Sequence, residues 1–233
     1  MNGSTRSRQD LLAQTGLFST APRELLSDLA ARASTVVLSP NEILFMKGDP
    51  GDRLYIVATG AIRIGAMSPE GREVSYGVLG PGAVLGEIAV IDGGERSADA
   101  KAIEPTTLLS IERRDVLAFL HNHPAQALEL LKLLCGRIRS ADEMLDDVVF
   151  MSLPNRLAKH LLTLEQIVGM TDRAAGRTEV RLSQQMLAEH LGISRESVNK
   201  VLSKWEEIGI VSLGRGRIGL ERMEELREIA AMN

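Results

Sequence analysis

The sequence is poor in cysteine, in aromatic residues and in long apolar runs, and each shortage excludes a class of protein. Cys135 is the only cysteine among 233 residues, so one chain holds no disulfide framework, no Cys-rich zinc site and no Cys-ligated iron–sulfur cluster. One Trp, two Tyr and four Phe argue against a surface that stacks single-stranded bases. No run approaches the roughly 18 apolar residues of a membrane span, and MNGSTRSRQD lacks the apolar core of a signal peptide. We therefore expect a cytoplasmic protein that does not associate with membranes.

Charge of either sign is also modest. The formal net charge is −4, and from Ser152 onward 12 Lys and Arg residues stand against 11 Asp and Glu. Neither the net charge of the chain nor the near-even charge from Ser152 onward is typical of a protein that coats nucleic acid. Any binding to nucleic acid must therefore come from a local patch near the end of the chain. The sequence shows no catalytic constellation, so we do not expect an enzyme. His121 and His123 are two residues apart, a poor spacing for metal ligands, so we expect no metal site.

The first half of the chain has the pattern of a β-sandwich or barrel. Between Thr35 and Ile111, short β-rich runs such as RLYIVA and AIRIGAM alternate with turn sequences such as GDPGD and GPG. Many short strands joined by Gly and Pro turns are typical of all-β folds. The preceding segment, LLAQTGLFSTAPRELLSDLAARA, predicts one or two short helices.

One segment of this region has features of a binding site that a purely structural scaffold does not need. A strand-like AVL ends at Gly86, and a single helical turn is expected to follow. The backbone N–H groups of Glu87, Ile88 and Ala89 at that helix start, together with the charge of Arg96, predict an anion site. Glu87 can accept a hydrogen bond from a ribose hydroxyl beside the phosphate, so the two side chains suit a nucleotide. The alternative is an internal ion pair between Glu87 and Arg96, and the spacing alone does not decide between the two.

The longest helical pattern runs from Pro124 to Phe150, and at ~1.5 Å per residue it spans roughly 40 Å. Apolar residues at alternating steps of four and three form a coiled-coil seam, which implies a partner helix from a twin subunit. A second apolar face is expected to pack within the same subunit. The seam residues are Ala127, Leu131, Leu134, Ile138, Ala141, Leu145 and Val148, and the second face comprises Leu128, Leu130, Leu133 and Met144.

The last part of the chain has the pattern of a helix-turn-helix. After a helix that Ser152 caps, GMTDRAAGRTE is expected to form a polar loop. Ser183 then caps a helix, Gly192 makes the turn, and Ser194 caps a second helix that ends near residue 208.

The second helix of this motif carries side chains suited to the major groove of DNA. Arg195 and Lys200 can donate to guanine, Glu196 can accept from cytosine, and Asn199 lies on the same outward face. Ser194, at the start of this helix, is a further candidate DNA-binding residue. In the following IVSLGRGRIGL, two short strands flank a turn, a wing whose basic residues can contact phosphates. These basic residues are Arg215 and Arg217.

These features together resemble the bacterial CRP/FNR family of transcription regulators over about residues 17–220. Gly86-Glu87-Ile88-Ala89 followed by Arg96-Ser97-Ala98 resembles the phosphate-binding cassette of cyclic-nucleotide-binding domains. The resemblance implies that Arg96 and Ser97 bind the cyclic phosphate, that the Gly86–Glu87 backbone assists, and that the Glu87 side chain holds the ribose 2′-hydroxyl. Because members that sense other signals often lack the Glu and Arg pair, a nucleotide is favoured over haem.

The same resemblance implies an α+β fold in three parts. Residues 1–123 are expected to form a jelly-roll cyclic-nucleotide-binding domain, 124–151 a dimerisation helix, and 152–233 a winged helix-turn-helix DNA-binding domain. In cAMP-binding members, adjacent Thr and Ser or Asn residues of the long helix meet the adenine; the matching positions here are Ala141 and Asp142. The Asp142 carboxylate can accept from adenine or from the paired N–H donors of guanine. We therefore expect cAMP as the ligand, with cGMP as the alternative.

The sequence thus predicts a cyclic-nucleotide-gated homodimer, paired through the 124–151 helix, that binds a two-fold symmetric site on double-stranded DNA. RNA polymerase is an expected further partner if the protein is an activator. Two alternatives stay open. One is a nucleotide-sensing module that regulates a protein partner, and the other is a ligand-independent regulator of the same fold in which Glu87 and Arg96 merely pair.

Overall fold

The computed structural model describes residues 7–67, 73–168, 170–172, 177–180 and 182–231. In the described residues up to 150, two helices precede eight strands, a short helix lies between the sixth and seventh strands, and another helix leads into a long one. The elements of this part are α1 (Arg8–Gln14), α2 (Arg23–Arg32), β1 (Ser34–Leu38), β2 (Ile43–Phe45), β3 (Arg53–Thr59), β4 (Ile62–Met67), β5 (Glu73–Leu79), β6 (Val84–Leu85), α3 (Glu87–Asp92), β7 (Asp99–Ala102), β8 (Thr106–Glu112), α4 (Arg113–Asn122) and α5 (Pro124–Phe150).

The strands form two four-stranded sheets, in the orders β1-β8-β3-β6 and β2-β7-β4-β5. The pairs β1–β8, β3–β8, β3–β6 and β2–β7 are antiparallel. Two antiparallel sheets that share a core are the architecture of a jelly roll, as the Gly- and Pro-punctuated sequence predicts. The short helix expected after Gly86 is confirmed as α3.

Strand β3 is buried on both faces, because its alternate side chains belong to two different cores. Leu54 and Ile56 pack with helices α1, α2 and α4 and with the start of α5. Tyr55 and Val57 pack between the two sheets. An uninterrupted apolar run is what a strand covered on both sides requires.

Helix α5 has the predicted limits, Pro124–Phe150, but its inward face is not the predicted one. Leu130 is buried and Leu133 packs against the helical core, as expected, whereas Leu128 and Met144 are 54% and 41% exposed. The seam residues Ala127 and Leu134 instead pack against the helical core of their own subunit. The inward residues follow the 3.6-residue period of a straight helix, because this part of α5 packs on its own domain.

The remainder of the chain contains the elements α6 (Leu153–Val168), β9 (Met170–Asp172), β10 (Arg177–Val180), α7 (Gln184–Leu191), α8 (Arg195–Glu207), β11 (Val211–Gly214), β12 (Arg217–Leu220) and α9 (Met223–Ala231). The strands form one sheet in the order β11-β12-β10-β9. The polar loop expected over residues 169–179 is therefore wrong in part: β9 pairs with β10, and β10 with β12. The polar side chains predicted a loop, but backbone hydrogen bonding to the wing strand β12 makes β10 a strand. Residues 169 and 173–176 lie outside the described part.

The chain divides into two compact units, one formed by residues 1–64 and 79–140 and the other by 65–78 and 141–233. Helix α5 runs through the boundary at Ser140, so the domain limits expected at residues 123 and 151 stay predictions. Within the described part of the chain, every helix is too short or too polar to cross a bilayer.

Two histidines meet inside the second unit. The rings of His160 on α6 and His190 on α7 have centroids 4.6 Å apart. The His160 residue keeps part of its surface exposed, but its Nε2 atom is enclosed and has no hydrogen-bond partner. Burial, with a smaller contribution from His190, lowers the pKa of His160 from 6.5 to about 3.

The lowered pKa of His160 predicts that the stability of the second unit falls in acid. Because the folded pKa lies below the unfolded one, the stabilisation is present above about pH 6.5 and is lost as the pH falls towards 3, by up to roughly 1.4 kcal/mol per pH unit. We expect urea unfolding, followed by fluorescence of the buried Trp205, the only tryptophan, to show a steeper loss of stability in this window than a His160→Gln variant does. His121→Gln, at an exposed position, is the control. Equal slopes for wild type and His160→Gln contradict the assignment.

Candidate ligand pocket and nucleic-acid interface

A pocket opens in the first unit where the β6–α3 turn meets the strands of the jelly roll and helix α5. It contains about 320 Å³ not filled by protein atoms, counting the part open to solvent. All seven residues of the predicted cassette, Gly86–Ala89 and Arg96–Ala98, line this pocket. The lining comprises Phe45, Ile64, Leu85, Gly86, Glu87, Ile88, Ala89, Arg96, Ser97, Ala98 and Arg137.

The guanidinium of Arg96 is the fixed positive charge of the pocket. Arg96 is 3% exposed. Its Nη1 donates to the Gly86 carbonyl at 3.1 Å and its Nη2 to the Arg53 carbonyl at 2.9 Å, while Nε is buried without a partner. Burial lowers the pKa of Arg96, opposed by the nearby groups Tyr55, Asp52, Asp49 and Glu87. Among the described residues Arg96 forms no ion pair, so its charge stays available to a ligand.

The carboxylate of Glu87 lies in the same pocket and is fully buried. Arg137 of α5 places Nη1 2.8 Å from Glu87 Oε1, and its Nη2 donates to the Val84 carbonyl. The two groups form an ion pair, and neither carboxylate oxygen accepts a hydrogen bond from the described residues. Burial raises the pKa of Glu87, and the charge of Arg137 opposes that shift. The predicted alternative, an ion pair between Glu87 and Arg96, does not form.

Gly86 allows the cassette backbone to approach Arg96. Its φ of +81° is in the left-handed region that favours glycine. A Cβ at this position would lie 2.4 Å from Arg96 Nη1 and 3.0 Å from the Arg53 carbonyl oxygen. Helix α3 begins directly after it, so the first-turn N–H groups of Glu87, Ile88 and Ala89 have no acceptor within the helix. Ser97 is exposed in the lining, where its hydroxyl can reach a ligand.

Arg137 is the residue whose importance the sequence indicated least. It follows Leu130 by seven residues on the inward face of α5, and this periodicity is the signal that could have placed it. Phe45, Ile64 and Leu85 were likewise not singled out, because an apolar lining residue has the same sequence pattern as a core residue.

The two positions expected to read the base lie one turn beyond Arg137. Ala141 and Asp142 are both exposed on α5, and neither lines the pocket described here. Their contact with a base therefore stays a prediction.

The second unit has the expected helix-turn-helix. Ser183 accepts from the Met186 N–H and caps α7, Gly192 takes φ +64° at the turn, and Ser194 accepts from the Ser197 N–H and caps α8. Helix α8 buries Val198, Leu202 and Trp205 against the core of this unit. All four side chains predicted to face a groove are exposed. They are Arg195, Glu196, Asn199 and Lys200.

The wing adds positive charge beside the start of α8. Arg215 and Arg217 are exposed at the β11–β12 turn, and Arg217 lies 3.9 Å from Glu179. Together with Arg195 they line a cleft of about 690 Å³, open to solvent, that also includes the amino-terminal end of α7. Three arginines beside a helix start suit a phosphate backbone. No three His, Cys, Asp or Glu side chains converge as metal ligands in the described part of the chain.

Comparison with known proteins identifies two domain families in the chain. Residues 35–123 match the family Cyclic nucleotide-binding domain, and residues 155–229 match Crp-like helix-turn-helix domain. The chain is 32% identical over 204 residues to the CRP-like cAMP-activated global transcriptional regulator of Mycobacterium tuberculosis, covering 88% of this chain and 91% of the relative. It is 39% identical over 188 residues to the Cyclic AMP receptor protein of Thermus thermophilus, covering 80% and 83%.

Among solved structures, a CRP/FNR-family transcriptional regulator from Thermus thermophilus superposes with a TM-score of 0.72. The two sequences are 26% identical, and the match covers 85% of this chain and 99% of that one. Apart from Arg137, the residues that line the pocket fall within the first matched domain, and the helix-turn-helix falls within the second. The chain thus belongs to the CRP/FNR family of DNA-binding transcription regulators, with a cyclic-nucleotide-binding domain in its first half.

Proposed function

We propose that this protein is a homodimer whose binding to a two-fold symmetric DNA site is controlled by cAMP. The main support for a cyclic nucleotide as the ligand comes from two buried side chains that share one pocket. Glu87 has two carboxylate oxygens without a hydrogen-bond donor, and Arg96 has a charge without a carboxylate partner. A ligand that brings a hydroxyl donor and an anion satisfies both, and a cyclic nucleotide has both groups on adjoining atoms of one sugar.

The choice of cAMP is supported by the relatives, whose names specify cAMP in both the mycobacterial and the Thermus protein. The competing ligand is cGMP. Asp142 is exposed on α5, and its two carboxylate oxygens match the adjacent N–H donors of guanine. A contact of Ala141 and Asp142 with the base is part of the proposal.

The homodimer is supported by the exposed apolar side chains of α5. Leu131, Ile138, Leu145 and Val148 are 57%, 62%, 65% and 59% exposed. They fall at the predicted heptad positions, and such a row is covered in a coiled coil by the same row of a second helix. A contiguous exposed apolar surface of this kind marks a protein interface.

The proposed gating follows from the position of Arg137. Its side chain reaches Glu87, while the adjacent residue Ile138 belongs to the exposed seam. A ligand that changes the surroundings of Glu87 therefore acts on the segment of α5 that pairs the subunits. Binding that favours one dimer arrangement would place both α8 helices in successive major grooves, about one helical turn or ~34 Å apart.

Two alternatives make different predictions. A module that regulates only a protein partner has no need of an exposed basic wing beside α8, which favours DNA. A ligand-independent regulator was expected to pair Glu87 with Arg96, and that pair does not form. A contact with RNA polymerase, if the protein activates transcription, stays a prediction.

Calorimetric titration with cAMP and then cGMP tests the ligand. We expect wild type to bind one nucleotide and Arg96→Ala to bind it at least tenfold more weakly, because charge-assisted hydrogen bonds contribute roughly 1.5–3 kcal/mol each. Arg114→Ala removes an equally charged but exposed side chain and should bind as wild type does. Full nucleotide-dependent DNA binding by Arg96→Ala would sink the proposal.

Gel shifts with a two-fold symmetric duplex test the DNA interface. Arg195→Ala and Lys200→Ala should each weaken specific binding by about 1–3 kcal/mol, the contribution of a base contact, with nucleotide affinity unchanged. Arg227→Ala, an exposed arginine on α9 that pairs with Glu224, is the matched control. If all three variants shift the duplex equally, α8 is not the recognition helix.

Disulfide trapping tests the dimer. In a Cys135→Ser background, Leu145→Cys should form a covalent dimer under mild oxidation, because equivalent seam positions of a parallel coiled coil face each other. Glu143→Cys, exposed on the opposite side of the heptad, should cross-link far more slowly. A monomeric mass by sedimentation at micromolar concentration, together with no trapping, contradicts the proposed dimer.

A further inference from the structure

Two aromatic rings flank the arginine of the ligand pocket. The Arg96 Cζ atom lies 4.4 Å from the centroid of the Phe45 ring and 5.6 Å from that of Tyr55. The rings themselves stack, with centroids 6.0 Å apart and planes at 30°. Phe45 lies on β2 and Tyr55 on β3, so each sheet of the jelly roll contributes one ring. Phe45 also lines the pocket.

A buried arginine without a carboxylate is costly, since burial disfavours its charged form. The two carbonyl groups of Gly86 and Arg53 satisfy only part of its N–H donors. An aromatic face supplies a different stabilisation, because its negative potential attracts a cation without accepting a hydrogen bond. Unlike a carboxylate, the ring does not cancel the charge. Arg96 is thus stabilised while its full charge remains for a ligand.

The backbone of β2 is irregular at this point. Ile43 pairs with Lys101 and Phe45 with Ala100, so the register with β7 shifts between the two residues. Such irregularities redirect a side chain relative to a regular strand and recur beside binding sites. The shift occurs at the residue whose ring contacts Arg96.

We infer that Phe45, supported by Tyr55, is a positioning residue that holds the Arg96 guanidinium charged and oriented for the anionic group of the ligand. This inference rests on the proposed function, because it assigns how the same pocket binds a cyclic phosphate. Phe45 acts through Arg96, so its effect depends on the cation and on the aromatic character of residue 45.

Calorimetry with cAMP and cGMP on the full-length protein tests this assignment. Phe45→Leu and Phe45→Met should bind the preferred nucleotide roughly 3- to 30-fold more weakly, which is the cation–π range expressed as affinity. Phe45→Tyr and Phe45→Trp keep an aromatic face and should stay within about threefold of wild type. Two aliphatic variants are used so that the comparison with the aromatic variants can still be made if one of them does not fold.

Two controls separate positioning from packing. Phe119→Leu makes the same change in the helical core of this unit, where Phe119 packs edge-on against Phe18, and should lower the melting temperature without weakening nucleotide binding. In an Arg96→Gln background, measured by competition at millimolar nucleotide, Phe45→Leu should change affinity by less than twofold because no cation remains. A purely structural Phe45 gives the same loss in both backgrounds.

The outcomes are distinguishable. Loss of affinity in Phe45→Leu and Phe45→Met, retention in the aromatic variants and disappearance of the effect without Arg96 support the inference. Wild-type affinity in both aliphatic variants, or an undiminished effect in Arg96→Gln, overturns it and leaves the proposed function intact. Failure of wild type to bind either nucleotide overturns the proposed function and this inference together.

Discussion

A buried arginine without a carboxylate partner is the constraint on which the ligand pocket depends. Arg96 is almost entirely removed from water, and the fold meets its needs with two backbone carbonyls and two aromatic faces. Each of these features restricts the sequence. Residue 86 must lack a side chain so that its carbonyl can approach Arg96, and aromatic residues must occupy the positions on β2 and β3 that lie beside Arg96. The turn, the two sheets and the cassette are therefore bound together by one cation.

The fold was predictable from the sequence wherever periodicity and turn chemistry agree. The limits of α5, the helix-turn-helix caps at Ser183 and Ser194, and the wing are examples, because each depends on a short, local pattern. The β9–β10 hairpin was not predictable in this way. Its strands are polar, and β10 pairs with β12, which lies about 40 residues further along the chain, while β9 pairs with β10.

The pocket was predictable in part, and for a related reason. Gly86, Glu87, Arg96 and Ser97 belong to one continuous segment, so their resemblance to a phosphate cassette was visible. Phe45 and Arg137 reach the same pocket from β2 and α5, at large separations in sequence. Nothing local distinguishes Phe45 from a core ring, and the only sequence signal for Arg137 is its seven-residue spacing from Leu130 on the inward face of α5. The inward face of α5 was misjudged because a heptad seam and a 3.6-residue core face share Ala127 and Leu134.

Glu87 and Arg137 connect the pocket to helix α5, and the two side chains differ in burial. The carboxylate is fully buried and keeps two oxygens without hydrogen-bond donors, while Arg137 keeps part of its surface in solvent. An unsatisfied buried acceptor costs roughly 1–3 kcal/mol, so a hydroxyl donor in the pocket relieves a penalty that the Arg137 charge alone leaves in place. The Arg137 guanidinium contacts both Glu87 and the Val84 carbonyl, and the next residue of α5, Ile138, belongs to the exposed seam. The ligand pocket and the proposed dimer surface thus involve adjacent residues of α5, Arg137 and Ile138.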